Sequence, residues 1–264
     1  MKRKIGINMN CYAPIPPEEQ VSLMKKEGFE GCFTGSANPE IESYMAALRG
    51  SGIVCENLHA PFDGINTIWK AGEKGDIMLA RLIEGVRICA KYDVPALVVH
   101  LSSGTKAPHV NDYGADRFAK LMDEAAKYGV AVCYENQRKL SNLAFAFEQF
   151  DAARFCWDCG HEFCFTPGRH YMPIFGDKLS ALHIHDNMCE LNGDKHMIPY
   201  DGRIDFGYVA KMISESGYTG TVMLELLRRN SMFIYENYTP EQYYSRAGAA
   251  ARRLRDEIDA VDNY

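Results

Sequence analysis

Apolar and polar positions along this chain switch repeatedly between two periods. Short runs such as Ile5-Gly6-Ile7, Ala96-Leu97-Val98-Val99 and Val130-Ala131-Val132-Cys133 have the length and composition of buried strands. Longer stretches between them carry helical spacing: over 75–92, Leu79, Leu82, Ile83, Val86 and Ala90 fall on one side. Read in order, the pattern predicts strands over 4–9, 29–34, 53–58, 96–100, 130–136, 154–158, 181–187 and 221–226. It predicts helices over 16–28, 38–49, 75–92, 112–129, 142–150, 206–216 and 240–261, the first opened by Pro16-Pro17-Glu18-Glu19 and closed by Gly28. Strand and helix alternate without a Pro/Gly/Ser-rich linker or a break in composition. The expectation is therefore one domain over 1–264, a (β/α)8 barrel with its helices outside. The competing open doubly wound sheet lacks a Gly-rich dinucleotide turn after its first strand.

The stretch Ala181-Leu182-His183-Ile184-His185-Asp186-Asn187 sharpens that picture. Leu182 and Ile184 alternate with His183 and His185, so the apolar side chains pack one way and the imidazoles point the other. His59, His100, Glu135, Asp158, His183 and Glu225 all fall at the C-terminal ends of predicted strands. In a barrel that end is where active sites are built, and separate strands would aim these groups at one mouth. Burying them unpaired is expensive, and a divalent cation is the simplest partner that neutralises several at once. A set of two glutamates, an aspartate and a histidine suits Zn²⁺, Mn²⁺, Co²⁺ or Mg²⁺, with imidazole favouring the transition ions.

Composition narrows the class by exclusion. The apolar share of 47% and charged share of 24% are those of an ordinary globular protein. No window approaches the roughly 18 uninterrupted apolar residues of a membrane span, and the basic N-terminus is not followed by a signal-peptide pattern, so a cytoplasmic protein with no membrane partner is expected. Nine cysteines, an odd number scattered over predicted strands and helices, suggest reduced thiols. Cys156-x-x-Cys159 has no second pair and straddles a strand end, so it reads as incidental. A net charge of −6 without a dense Lys/Arg run weighs against a nucleic-acid partner.

The ordered set His59-Ala60-Pro61, Val99-His100, Tyr134-Glu135-Asn136, Asp158-Cys159-Gly160-His161, His183-Ile184-His185-Asp186-Asn187, Asp194-Lys195-His196 with Gly202-Arg203-Ile204-Asp205, and Leu224-Glu225 resembles the xylose isomerase-like barrel superfamily. Its members include sugar and sugar-phosphate isomerases and epimerases as well as apurinic-site endonucleases. The epimerase resemblance implies one metal held by Glu135, Asp158, His183 and Glu225. Glu135 and Glu225 would also exchange protons with the substrate through an enediolate, and His161 would contact a substrate hydroxyl. The trinuclear endonuclease pattern implies a larger set. His59 and His100 would join Glu135 at one zinc, Asp158, His183 and Glu225 would join it at a second, and His161, Asp194 and His196 would hold a third. Between one and three ions are thus implied.

The loops favour sugar chemistry over the endonuclease. Those after the first three strands are nearly devoid of positive charge, which suits a small polyol better than a flipped nucleotide. Arg228, in Leu227-Arg228-Arg229, is the candidate contact for a phosphate or carboxylate, with a solvated loop edge as the alternative. His185 and Asp186 either orient neighbours or touch substrate. Trp69, Phe62 and Tyr12 are candidates for a sugar-stacking wall, with plain packing as the alternative. The expected activity is a metal-dependent isomerase or epimerase acting on a ketose, a keto-polyol or a sugar phosphate, with a dehydratase as a variant. An apurinic-site endonuclease and a non-catalytic sugar-binding barrel are the alternatives, and self-association stays open.

Overall fold

A computed structural model describes residues 2–262. The strands are β1 (Ile5–Asn8), β2 (Gly31–Gly35), β3 (Val54–His59), β4 (Ala96–His100), β5 (Ala131–Glu135), β6 (Arg154–Asp158), β7 (Leu179–His183) and β8 (Val222–Leu224). All pair in parallel, in the order β7-β6-β5-β4-β3-β2-β1-β8. The circle closes through an isolated bridge between Ile184 and Leu224, supported by hydrogen bonds from Ile184 N to Met223 O (2.9 Å) and from Glu225 N to Ile184 O (3.0 Å). The expected (β/α)8 barrel is the fold found.

Helices α1 (Pro17–Lys26), α2 (Ile41–Leu48), α3 (Glu73–Lys91), α4 (Asp112–Tyr128), α5 (Leu140–Gln149), α6 (Cys159–Phe165), α7 (Met172–Phe175), α8 (Phe206–Glu215), α9 (Met232–Tyr235) and α10 (Pro240–Val261) follow the strands. Periodicity misses α6, α7 and α9 because each is at most seven residues long, too short to show a helical repeat. The long ones end where capping chemistry says they should. Asn111 accepts from Gly114 N at the start of α4, Gly129 closes it at a left-handed φ of 66°, and Thr239 and Gln242 form a capping box at α10. No described helix is long and apolar enough to cross a membrane.

Strand alternation separates two apolar layers. Leu97, Val99, Val132, Tyr134, Phe155, Trp157 and Leu182 belong to the large core, whereas Val98, Cys133, Cys156 and Ala181 form a small cluster of their own. Period-2 geometry therefore sends the first group toward the helices and the second into the barrel. The next inward position on each of these strands is His100, Glu135, Asp158 or His183, so four successive strands of the sheet lift an ionisable group to the C-terminal rim.

Candidate metal centre

Two strand ends are fixed by buried asparagines acting as backbone clamps. Asn136 donates to Asp158 O and accepts from Asp158 N, both at 2.8 Å, while Asn8 does the same at Leu226 (2.9 and 2.7 Å). Each clamp replaces ladder bonds where strands diverge, and so sets the backbone of Asp158 and of Glu225, which lies one residue before Leu226. The Asp158 side chain also caps α6, its Oδ1 accepting from His161 N at 2.6 Å.

The carboxylates and imidazoles meet above the inner apolar cluster. His183 Nδ1 lies 2.8 Å from Glu135 Oε1 and 3.4 Å from Glu225 Oε2. His161 Nδ1 stands between Asp158 Oδ2 (3.5 Å) and Glu135 Oε1 (3.8 Å). On the other side of Glu135, Oε2 is contacted by His100 Nε2 and lies 3.4 Å from His59 Nε2. A third group forms as Asp194 Oδ2 approaches His196 Nε2 (3.1 Å) and His161 Nε2 (3.5 Å). Among the described residues the candidate ligand sets with donor atoms within 4.8 Å of one another include His59, His100 and Glu135; His59, His183 and Glu225; Glu135, Cys156 and His183; His161, Asp194 and His196; and His185, His196 and Glu225.

Glu135, Asp158 and His183 have essentially no exposed surface, while the Glu225 side chain keeps 15%. Burial opposes charge on the enclosed groups, but close opposite charges prevail at all but His100 of those described next. Glu225 and Glu135 lift the His183 imidazole to about 9, and Asp194 and Glu225 lift His196 to about 9, in each case against burial. His100 and His183 likewise hold Glu135 well below the usual carboxylate range against burial, and His161 and His185 do the same for Asp158. At His100, burial wins and the imidazole is pushed down.

The donors fit a metal on an independent ground. Asp194 Oδ1 and Glu225 Oε2 are buried without a hydrogen-bond partner, and no Lys or Arg pairs with Glu135, Asp158, Asp194 or Glu225 among the described residues. Orphaned acceptors in a buried imidazole–carboxylate cluster are what divalent-ion coordination relieves.

Beside this cluster a cavity of about 410 Å³ opens to solvent, with Glu225, His59, Asn8, Phe33 and Phe62 among its walls. Phe62 is 48% exposed and stacks on His100 at 4.6 Å. Of the expected stacking wall, only Phe62 reaches this cavity. Trp69 is 2% exposed, donates to Leu101 O and packs on Phe118, and Tyr12 donates to Tyr238 O beneath the Arg228 guanidinium. Both are packing residues.

His185 and Asp186 lie past the end of β7, because regular pairing stops at His183. Both are fully buried. The His185 ring sits 3.1 Å from Asp158 Oδ1 and against Gly160, where any Cβ would overlap the imidazole. Asp186 accepts from Asn187 N and Gly202 N at 2.8 Å and from Ile204 N at 3.1 Å, tying down the loop that carries Asp194 and His196. Arg228 donates to Tyr235 O (3.0 Å) and Glu236 O (2.7 Å), outside the cluster.

Several residues around the cluster escape motif reading. Gln137 Nε2 bridges His161 Nδ1 (3.0 Å) and His100 Nε2 (3.3 Å), Phe33 and Phe165 stack on His183 and His161, and the Cys156 thiol lies within 4.8 Å of Glu135 and His183 ligand atoms. Period-2 spacing from Glu135 was the available signal for Gln137.

The chain is thus a (β/α)8 barrel whose rim gathers histidines and carboxylates from most of its strands into candidate ligand sets. Residues 16–256 match the family described as xylose isomerase-like TIM barrel, and the chain belongs to that family. Among solved structures it is similar to D-psicose 3-epimerase from Clostridium cellulolyticum H10 (TM-score 0.77, 16% identity, 98% of this chain and 99% of that one). It is also similar to 3-keto-D-glucoside 4-epimerase, YcjR, from E. coli (TM-score 0.74, 18% identity, 97% and 100%). At these identities the likeness is one of fold. The uncharacterized protein y4fM of Sinorhizobium fredii (strain NBRC 101917 / NGR234) is 32% identical over 125 residues, 47% of this chain and 38% of that protein, so the match spans well under half of the relative's length.

Proposed function

We propose that the chain is a metal-dependent carbohydrate isomerase or epimerase that moves a proton between Glu135 and Glu225. The observation that carries this reading is the placement of both carboxylates on one imidazole, His183 Nδ1, at the edge of an open cavity of sugar size. Glu135, Asp158, His183 and Glu225 would hold the ion, with Zn²⁺ or Mn²⁺ suited to the mixed donors. When bound, the ion supplies Lewis-acid polarisation of the substrate carbonyl and its neighbouring hydroxyl.

The remaining work falls to the chain. One glutamate takes the proton from the carbon beside the carbonyl; the C–H electron pair forms the carbon–carbon double bond as the carbonyl pair moves to oxygen, giving an enediolate. The second glutamate returns a proton, on the opposite face for epimerisation or at the adjacent carbon for isomerisation. His161, steered by Asp158, Gln137 and Phe165, would contact a hydroxyl. His185 and Asp186 act as positioning residues, the one on Asp158 and the other on the loop of Asp194 and His196. Phe62 covers the apolar side of the cavity. The neighbours named as sugar 3- and 4-epimerases support carbohydrate chemistry, and nine unpaired cysteines support a cytoplasmic setting.

The His59–His100–Glu135 and His161–Asp194–His196 sets give the phosphodiester-hydrolysing alternative its specific support, with up to three ions. The walls of the cavity beside Glu225 offer no Lys or Arg, and the two arginines of the neighbouring cleft are too few to track a nucleic-acid backbone, which ranks it second.

The test is a screen of free ketoses, inososes and sugar phosphates in deuterated buffer, read by mass increase. Wild type should label at least one of them, and Glu135→Gln and Glu225→Gln should each slow labelling by about 10²–10⁴-fold while remaining folded. Unchanged labelling in either variant removes that glutamate from the proton path. An abasic-site duplex in a parallel reaction should stay uncleaved.

A further inference from the structure

We infer that the cleft adjoining the mouth, between the turn after β1 and the segment after β8, is an anion subsite. It would hold a phosphate or carboxylate carried by the substrate away from its reacting carbons. The inference rests on the carbohydrate reading above and adds a substrate class to it: a ketose bearing an anionic substituent.

The cleft has a volume of about 680 Å³, and its walls include Asn10, Pro14, Glu40, Arg228 and Arg229. Asn10 also lines the cavity that contains Glu225 and His59, so the two spaces meet at this residue. Its backbone is held at a left-handed φ of 64°, its N–H donates to Gln20 Oε1 at 2.7 Å, and its amide oxygen accepts from Gln20 Nε2 (3.3 Å) and from the Tyr44 hydroxyl. A non-glycine residue is kept in that conformation only when its surroundings over-determine it. Those contacts occupy the oxygen and leave the Asn10 Nδ2 donors without an acceptor among the described residues.

The two arginines are not equivalent. Arg228 stacks on the Tyr12 ring at 4.4 Å and is anchored by the carbonyls of Tyr235 and Glu236, while its backbone N–H donates to Cys11 O at 2.9 Å. It builds the wall and retains Nη1. Arg229 is exposed and forms no ion pair or side-chain hydrogen bond with the described residues, so its whole guanidinium fork is available. Glu40 is the one carboxylate in the lining; it is exposed, and water screens it. The cleft is thus rich in donors beside a mouth rich in acceptors. Planar guanidinium forks bind phosphate and carboxylate bidentately, a match of charge and geometry that the hydroxyls of a neutral sugar do not offer. The sequence pointed to Arg228; the geometry moves the free donor to Arg229.

The probe is inorganic phosphate, titrated into the full chain as purified and followed by phosphorus NMR line broadening, with acetate as a competitor and glycerol as a neutral control. Saturable phosphate binding should weaken about tenfold or more in Arg229→Ala, equivalent to about 1.4 kcal/mol, and recover in part in Arg229→Lys. Displacement by acetate would extend the site to carboxylates, and its failure would restrict it to phosphate. Absence of saturable phosphate binding overturns the subsite, as does binding that Arg229→Ala leaves unchanged. Exchange on neutral ketoses does not depend on this result, so a protein that labels ketoses but ignores phosphate loses the subsite alone. One that binds phosphate through Arg229 but labels nothing loses the isomerase reading alone.

Discussion

The lower and upper halves of the barrel interior are built by the same strands and differ by one step of two residues. Val98, Cys133, Cys156 and Ala181 fill the lower layer; His100, Glu135, Asp158 and His183 occupy the upper one. Below, side chains are small and neutral: burial pushes the Cys133 thiol up to about 12, so it carries no charge at any ordinary pH. Above, burial is as complete, yet opposite charges at 2.8–3.8 Å keep Glu135 and Asp158 ionised. Burial alone therefore does not set the state of a buried group. The lower layer is stable without a partner, whereas the upper one is held together by charges that each depend on the others.

Two substitutions on one strand, two positions apart, separate the layers. Glu135→Ala takes from His183 one of its two carboxylates and from His100 its acceptor, and should destabilise the fold by about 1–3 kcal/mol in denaturant unfolding, while also abolishing exchange. Cys133→Ala, directly below, should cost about 1 kcal/mol by cavity formation and leave exchange intact. Equal effects would mean that the two layers are not distinct.

A second contrast lies in pH. His183 and His196 have raised pKa values, so their contribution to the metal-free fold is complete below the unfolded value of about 6.5 and is lost as pH rises through about 9. Glu135 and Asp158 have lowered values, so theirs is present above the unfolded values of about 4 and is lost as pH falls. Scanning calorimetry of chelator-treated protein should therefore show its highest Tm near pH 5–6, with a decline toward pH 9. A Tm that rises across that upper range would contradict the charge assignment.

The upper layer was legible in the sequence because strand alternation and strand ends are local properties: His59, His100, Glu135, Asp158, His183 and Glu225 all lie at or next to the ends of their strands. Beyond the strands, His161, His185, Asp186, Asp194 and His196 were named through the family resemblance, and what holds them in place was not legible. Asp158 as a helix cap depends on a short helix with no visible period. His185 against Gly160 depends on a close approach between β6 and β7 ends. Trp69 is drawn into the core because Gly114 and Phe118 of α4 receive it, and Arg228 faces carbonyls of a segment that turns back on it. The His185 and Trp69 contacts join distant parts of the chain, which residue spacing does not encode, while the Asp158 cap and the Arg228 anchors are local and rest on helices too short to show a period.

The most direct measurement is calorimetric titration of Zn²⁺ into the chelator-treated chain near pH 7, repeated in buffers of different ionisation enthalpy. If the upper layer is a metal site held open by protonated imidazoles, one or more ions bind saturably and each releases protons, because His183 must become neutral to ligate. A folded chain that takes up no ion, or takes one up without proton release, contradicts the account.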